Sequence, residues 1–221
     1  MKFRTLGAVA IAAVVAVLIR AIYFTPIEAL QGAAQKILYV HAPSAWVAFL
    51  AFGLVAVASA LYLWLRDPRL DYFAESSAEI GLVFTTAVLL TGPLWGKPIW
   101  GTYWTWDARL TLTLFLWFVY VGYVILRGAV DDRDMRARYS AVIGILGAAL
   151  IPFIHLSVYL FRTLHPMPVL MKPSSPSMPP EMTITLVSAF LAFTVLYVWL
   201  LRERYQLALD RAAASVVEYD R

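Results

Sequence analysis

The stretch Ala45-Trp-Val-Ala-Phe-Leu-Ala-Phe-Gly-Leu-Val-Ala-Val-Ala-Ser-Ala-Leu-Tyr-Leu-Trp-Leu65 contains no charged side chain. As an α-helix rising ~1.5 Å per residue it reaches across the ~30 Å of a bilayer's hydrocarbon core. Apolar helices buried in soluble proteins are usually shorter, so this segment reads as a membrane span. Five further segments are similarly apolar, the first two with one charge each at Arg20 and Glu79: Leu6 to Phe24, Ala78 to Trp95, Leu110 to Leu126, Ala141 to Phe161 and Ile184 to Leu201. The whole chain of 221 residues is 62% hydrophobic and 14% charged, against roughly 45–50% apolar and 25% charged in soluble domains. The expectation is an all-α polytopic membrane protein, a single domain over 1–221 with six transmembrane helices.

The third segment is short and holds Thr85, Thr86, Thr91, Gly92 and Pro93. Small and hydroxyl residues suit a helix packed inside a bundle, where backbones approach closely. The first segment follows Lys2 and Arg4 like a signal peptide, but its apolar run exceeds the 7 to 15 residues usual there, so it is read as retained. Twelve of the 18 Lys and Arg residues fall on the N-terminus, the 66–79 and 127–140 connections and the tail. The positive-inside rule then places both termini in the cytoplasm and three loops, 25–44, 95–109 and 162–183, outside. A multi-pass protein of the bacterial cytoplasmic (inner) membrane is implied.

Cysteine is absent, which excludes disulfides, thiolate ligation and thioether attachment of a cofactor. The net charge of +4 is dispersed over short loops, so topology accounts for it better than a nucleic-acid partner does. The mixed-charge connectors Arg66-Asp-Pro-Arg and Asp131-Asp-Arg-Asp read as solvated turns. No repeat of 20 to 50 residues occurs, and the one biased tract is Pro173-Ser-Ser-Pro-Ser-Met-Pro-Pro.

The outward loops hold the unusual residues. Four of the eight tryptophans crowd Trp95-Gly-Lys-Pro-Ile-Trp-Gly-Thr-Tyr-Trp-Thr-Trp-Asp-Ala-Arg-Leu-Thr: Trp95, Trp100, Trp104 and Trp106, with Tyr103 among them. An interfacial aromatic belt and a platform for a flat ligand both fit this stretch; the glycines and proline allow the tight turns a platform needs. Asp107 is placed to cap the fourth span. Arg109 suits either snorkelling or bidentate binding of a carboxylate. His41 and His165 flank the tryptophan loop from the other two outward loops, and neutral imidazole is a common ligand for iron. Met167, Met171 and Met178 offer sulfur as a substitute. His155 lies within the fifth span three residues after Pro152, which frees the carbonyl of residue 148, so it reads as structural or as support for a ligand.

The tryptophan stretch resembles the WWD domain of the heme-handling membrane proteins of cytochrome c maturation, and within that group the chain is most similar to the heme exporter C family. Lys36-Ile-Leu-Tyr-Val-His41-Ala-Pro-Ser-Ala-Trp46, Pro152-Phe-Ile-His155-Leu-Ser-Val and Arg162-Thr-Leu-His165 agree with it. It departs at Tyr103, at Leu160-Phe161 and at Pro166, which biases His165 away from helical geometry. The resemblance implies six spans with the WWD loop outside and transient, non-covalent binding of heme b. His41 and His165 would serve the iron axially, with Trp95, Trp100, Tyr103, Trp104, Trp106, Asp107 and Arg109 around the porphyrin. Propionates would meet Arg109, Lys97, Arg162 or Lys172. It also implies delivery to a membrane-anchored heme chaperone, in company with an ABC ATPase, its membrane partner and a small single-span subunit. The chain carries no Walker A loop, so it is read as a transport subunit and not an enzyme. A b-type cytochrome acting on quinol is the first alternative, although its iron would need two histidines within the spans and only His155 lies there. A structural anchor for an ABC complex is the second.

Overall fold

The computed structural model describes residues 3–170, 172, 174 and 177–219, with side chains for 5–170, 172, 174 and 177–214. Lys2, Arg221, Met171, Pro173, Ser175 and Pro176, and the side chain of Arg4, lie outside the described residues. Helices α1 (Phe3–Ile19), α2 (Leu38–Leu65), α3 (Pro68–Trp100), α4 (Ala108–Ala129), α5 (Arg133–Ala148), α6 (Leu150–Leu160) and α7 (Pro180–Tyr219) form the bundle. No strand occurs among the described residues. Six helical stretches are long and apolar enough to cross a membrane: Thr5–Phe24, Ala33–Leu65, Pro68–Trp100, Ala108–Ala129, Arg133–Leu160 and Pro180–Ala214.

All six expected spans are therefore present, but their ends lie elsewhere. A 3₁₀ turn, Ala33–Ile37, feeds directly into α2, so His41 sits in a helix and not in a loop. α3 is longer by ten residues at its start and five at its end than the apolar run that marks it, and it carries Trp95 and Trp100 in its last turns. The connections read as 66–79 and 127–140 shrink to 66–67 and 130–132. The physical reason is common to all: polar and aromatic residues at span ends remain helical because each backbone N–H and C=O keeps its partner at the membrane boundary. Hydropathy marks only the hydrocarbon portion.

Local signals set the corners. Asp67 accepts the Arg69 N–H and Pro68 occupies the first helical position of α3, where a missing N–H costs nothing. Gly101, at φ 76°, closes α3 in the left-handed conformation that favours glycine. Asp107 caps α4 as the sequence suggests, accepting the Leu110 N–H at 3.0 Å. The fifth span breaks at Ala149 between α5 and α6, where Pro152 withholds the hydrogen bond that the carbonyl of residue 148 would otherwise receive.

α2 lies at the centre, packed against α3, α5 and α7. Its Phe52 stacks on Tyr120 of α4 with ring centroids 3.5 Å apart. A Cβ on Gly81 of α3 would come within 2.5 Å of Phe52, and one on Gly144 of α5 within 2.7 Å of Val55. These glycines thus set the helix separations, as small residues do between spans. Ser77 on α3 donates to the Ala51 carbonyl oxygen of α2 at 2.9 Å and lies 2.7 Å from the Tyr197 hydroxyl of α7. At one end Arg127 is buried against Asp71 and Glu75, at 2.7 and 2.9 Å.

Candidate functional site

At the other end of the bundle the start of α2, the end of α3, the start of α4, α6 and the 161–179 connection enclose a cavity. Its volume is about 150 Å³. Thr85, Val88, Leu89 and Ile154 give it an apolar floor; the tryptophan segment and both outward histidines form its upper wall.

His41 projects from the first turns of α2. Its Nδ1 lies 2.9 Å from Thr91 Oγ1 on α3. That hydroxyl spends its one hydrogen on the Ala87 carbonyl oxygen at 2.7 Å, so Nδ1–H donates to it and Nε2 keeps its lone pair. The ring also meets Trp95 edge-on, centroids 5.7 Å apart. Gly92 makes room for it, since a Cβ there would sit 3.3 Å from His41 Cε1.

His165 stands outside the helices, as Pro166 dictates, and its Nδ1–H donates to the Pro166 carbonyl oxygen at 2.9 Å. Nε2 is again the free acceptor. Burial, and then the Arg109 guanidinium, push this imidazole down to about 3, so it is neutral at physiological pH. Both histidines therefore leave Nε2 open toward a metal, each with its second nitrogen held by an outer partner.

The backbone of His165 is tied to the tryptophan segment. Its N–H donates to Thr163 Oγ1 at 3.1 Å, and that hydroxyl donates to Asp107 Oδ2 at 2.7 Å. Asp107 Oδ2 also accepts from Thr105, while Oδ1 caps α4. One carboxylate thus fixes a helix start, the tryptophan segment and the third outward connection together.

Trp95, Trp100, Tyr103, Trp104 and Arg109 line the cavity. Trp106 and Asp107 do not: Trp106 is 77% exposed and meets Trp104 edge to face at 5.8 Å. Lys97 donates to the Gly101 carbonyl oxygen and sits over the Tyr103 ring. Lys172 is bonded to Ser177. Arg162 and His155 do not line the cavity, and His155 lies beside Tyr159 instead. Met167 is exposed, whereas Met178 packs on the small cluster of Leu38 and Tyr39.

Two buried donors on this wall, Arg109 Nη1 and Trp104 Nε1, have no partner among the described residues. Buried donors are normally satisfied, so an acceptor-bearing ligand suits them both. An anionic planar molecule with a metal at its centre fits the donor set: two neutral imidazoles, aromatic faces, a guanidinium and an indole N–H.

Four residues here had no functional reading from sequence. In the sequence Thr91 and Gly92 signal only packing, and Thr163 carries no signal. Gln31, which accepts the Trp95 Nε1–H at 3.1 Å, likewise carries no local motif.

Comparison with known proteins gives the family. Residues 2–218 match the family described as heme exporter protein C. Relatives of that name include the Bradyrhizobium diazoefficiens protein, 43% identical over 77% of this chain and 65% of its own length. The Haemophilus influenzae protein is 36% identical over 87% of the chain and 78% of its own. The Escherichia coli protein is 40% identical over 64% of the chain and 58% of its own, so the matched region falls short of two thirds of some of these relatives. The chain belongs to the heme exporter protein C family.

Proposed function

We propose that this membrane protein holds heme as cargo in the cavity at the end of the bundle opposite Arg127 and hands it to a membrane-anchored heme chaperone for cytochrome c maturation. The observation that carries this reading is the convergence of His41 and His165, 124 positions apart in the sequence, on one cavity whose wall also offers unpartnered Arg109 and Trp104 donors. The bound cargo supplies an iron with two axial positions and two carboxylates. His41 and His165 meet the iron through Nε2. Arg109, alone among the cations considered, lines the cavity with a free buried donor, so it takes a propionate. Trp95, Trp100 and Trp104 give the porphyrin apolar and stacking contact.

His165 lies on an irregular connection while His41 lies on a long helix, so the first is the mobile ligand and yields its place to the chaperone. The ATPase, its membrane partner and the single-span subunit supply energy and assembly around this chain. The cavity opens on the outer face of the cytoplasmic membrane, as the charge bias requires.

The test is an absorption spectrum of purified protein. A Soret band with low-spin features is expected. The pair His41→Ala and His165→Ala should abolish those features, while His155→Ala should keep them. An unchanged spectrum in the folded double variant would assign the iron to other ligands.

A further inference from the structure

A second cavity, of about 540 Å³, opens where the ends of α2 and α4, the starts of α3 and α5 and the far part of α7 meet. It lies at the bundle end away from the histidines, and nothing in the proposed heme function uses it. Its wall carries six arginines, Arg66, Arg127, Arg133, Arg136, Arg204 and Arg211, against the three carboxylates Asp71, Glu75 and Asp134.

The carboxylates are already engaged. Asp71 and Glu75 both bind the buried Arg127, and Asp134 pairs at 2.5 Å with Arg138, which lies outside the cavity wall. Arg204 is taken by Glu79. Arg66, Arg136 and Arg211 form no ion pair among the described residues; Arg66 rests over the Tyr62 ring and Arg136 reaches only the Val130 carbonyl oxygen at 3.4 Å. Three guanidiniums, from the end of α2, the start of α5 and the far part of α7, therefore face one hollow without an ion-pair partner among the described residues. A guanidinium fork is matched to tetrahedral oxyanions.

The position adds to the chemistry. α2 ends just before Arg66 with Trp64 and Leu65 strongly exposed, a tryptophan and an aliphatic side chain at the depth where a span leaves hydrocarbon. Basic pockets between helix ends at headgroup level are suited to anionic lipid headgroups.

We infer that this cavity is a phosphate-binding site, seating the phosphate of an anionic phospholipid headgroup between Arg66, Arg136 and Arg211. A free phosphate offers the same oxyanion, and the two sources are separable. Native mass spectrometry of the detergent-solubilised full chain would compare phosphatidylglycerol with phosphatidylcholine, each with and without inorganic phosphate. Retention of phosphatidylglycerol alone, reduced about tenfold or more in the triple variant Arg66→Gln, Arg136→Gln, Arg211→Gln, is expected. The variant Arg69→Gln, Arg162→Gln, Arg202→Gln removes the same charge outside the cavity and should retain the lipid. Displacement of the lipid by millimolar inorganic phosphate would keep the site and assign it to a soluble phosphate. Equal retention of both lipids, or equal loss in the two triple variants, would overturn the site in favour of diffuse surface charge. An unchanged melting temperature and heme spectrum in both variants guards against misfolding.

Discussion

Thr91 shows how much one hydroxyl can decide. Its hydrogen goes to its own helix and its lone pair to His41 Nδ1–H, so it selects the tautomer that leaves Nε2 for iron. Thr91→Val should strand a buried N–H, and loss of such an outer partner lowers metal affinity by about 10–100-fold. Thr91→Ser should restore it. Imidazole nitrogen shifts in the iron-free protein would report the tautomer separately from heme affinity. His165 is held neutral by burial and by Arg109, and the sign of its linkage follows. Between the ordinary histidine value near 6.5 and its folded value of about 3, the unfolded chain binds a proton that the folded chain refuses, so the fold loses stability as pH falls through that window. A histidine NMR titration of the iron-free protein should give a midpoint well below 6.5, and Arg109→Gln should raise it. The sequence disclosed the two histidines and the arginine but not these partners, because a threonine in a span most often only back-bonds to its own helix.

Among the elements, the corner built on Asp107 joins α4 to the connection bearing His165. Asp107→Ala loses both the cap, worth about 0.5–2 kcal/mol, and the Thr163 tie. Asp107→Asn keeps one acceptor oxygen, enough for the cap, while its amide nitrogen cannot accept from Thr163, so it should be milder than alanine but lose the tie. Thr163→Val leaves the cap intact and frees His165, so it should raise the high-spin fraction of bound heme with little change in melting temperature. If Thr163→Val and wild type share one spectrum, the tie does not position His165. Helix capping at Asp107 and the break before Pro152 were both legible, since a side-chain acceptor before an apolar run and a proline within one act locally. The helical state of His41, Trp95 and Trp100 was not. Their helices persist past the apolar run, and no residue at 33–44 or 96–100 announces where hydrocarbon ends and helix continues.

For the whole molecule, six spans place both termini on one side, and two thirds of the Lys and Arg residues should lie in the cytoplasm. A reporter fused after Arg221 should be active only inside; activity outside would invert the bundle and put the histidine cavity in the cytoplasm. Span number was readable because 18 or more apolar residues have few other uses, whereas the way the spans pack was not. That packing depends on pairings such as Gly81 with Phe52 and Gly144 with Val55, which join positions far apart in sequence.

The buried ion pair also orders the making of the protein. Asp71 and Glu75 leave the ribosome with α3, but the cation that binds both, Arg127, follows only at the end of α4, and Arg204, the partner of Glu79, comes later still on α7. Until α4 is complete, the start of α3 holds two carboxylates without the guanidinium that binds both in the finished bundle. A nascent chain cut before α4 should therefore hold α3 less firmly in the membrane than one cut after it.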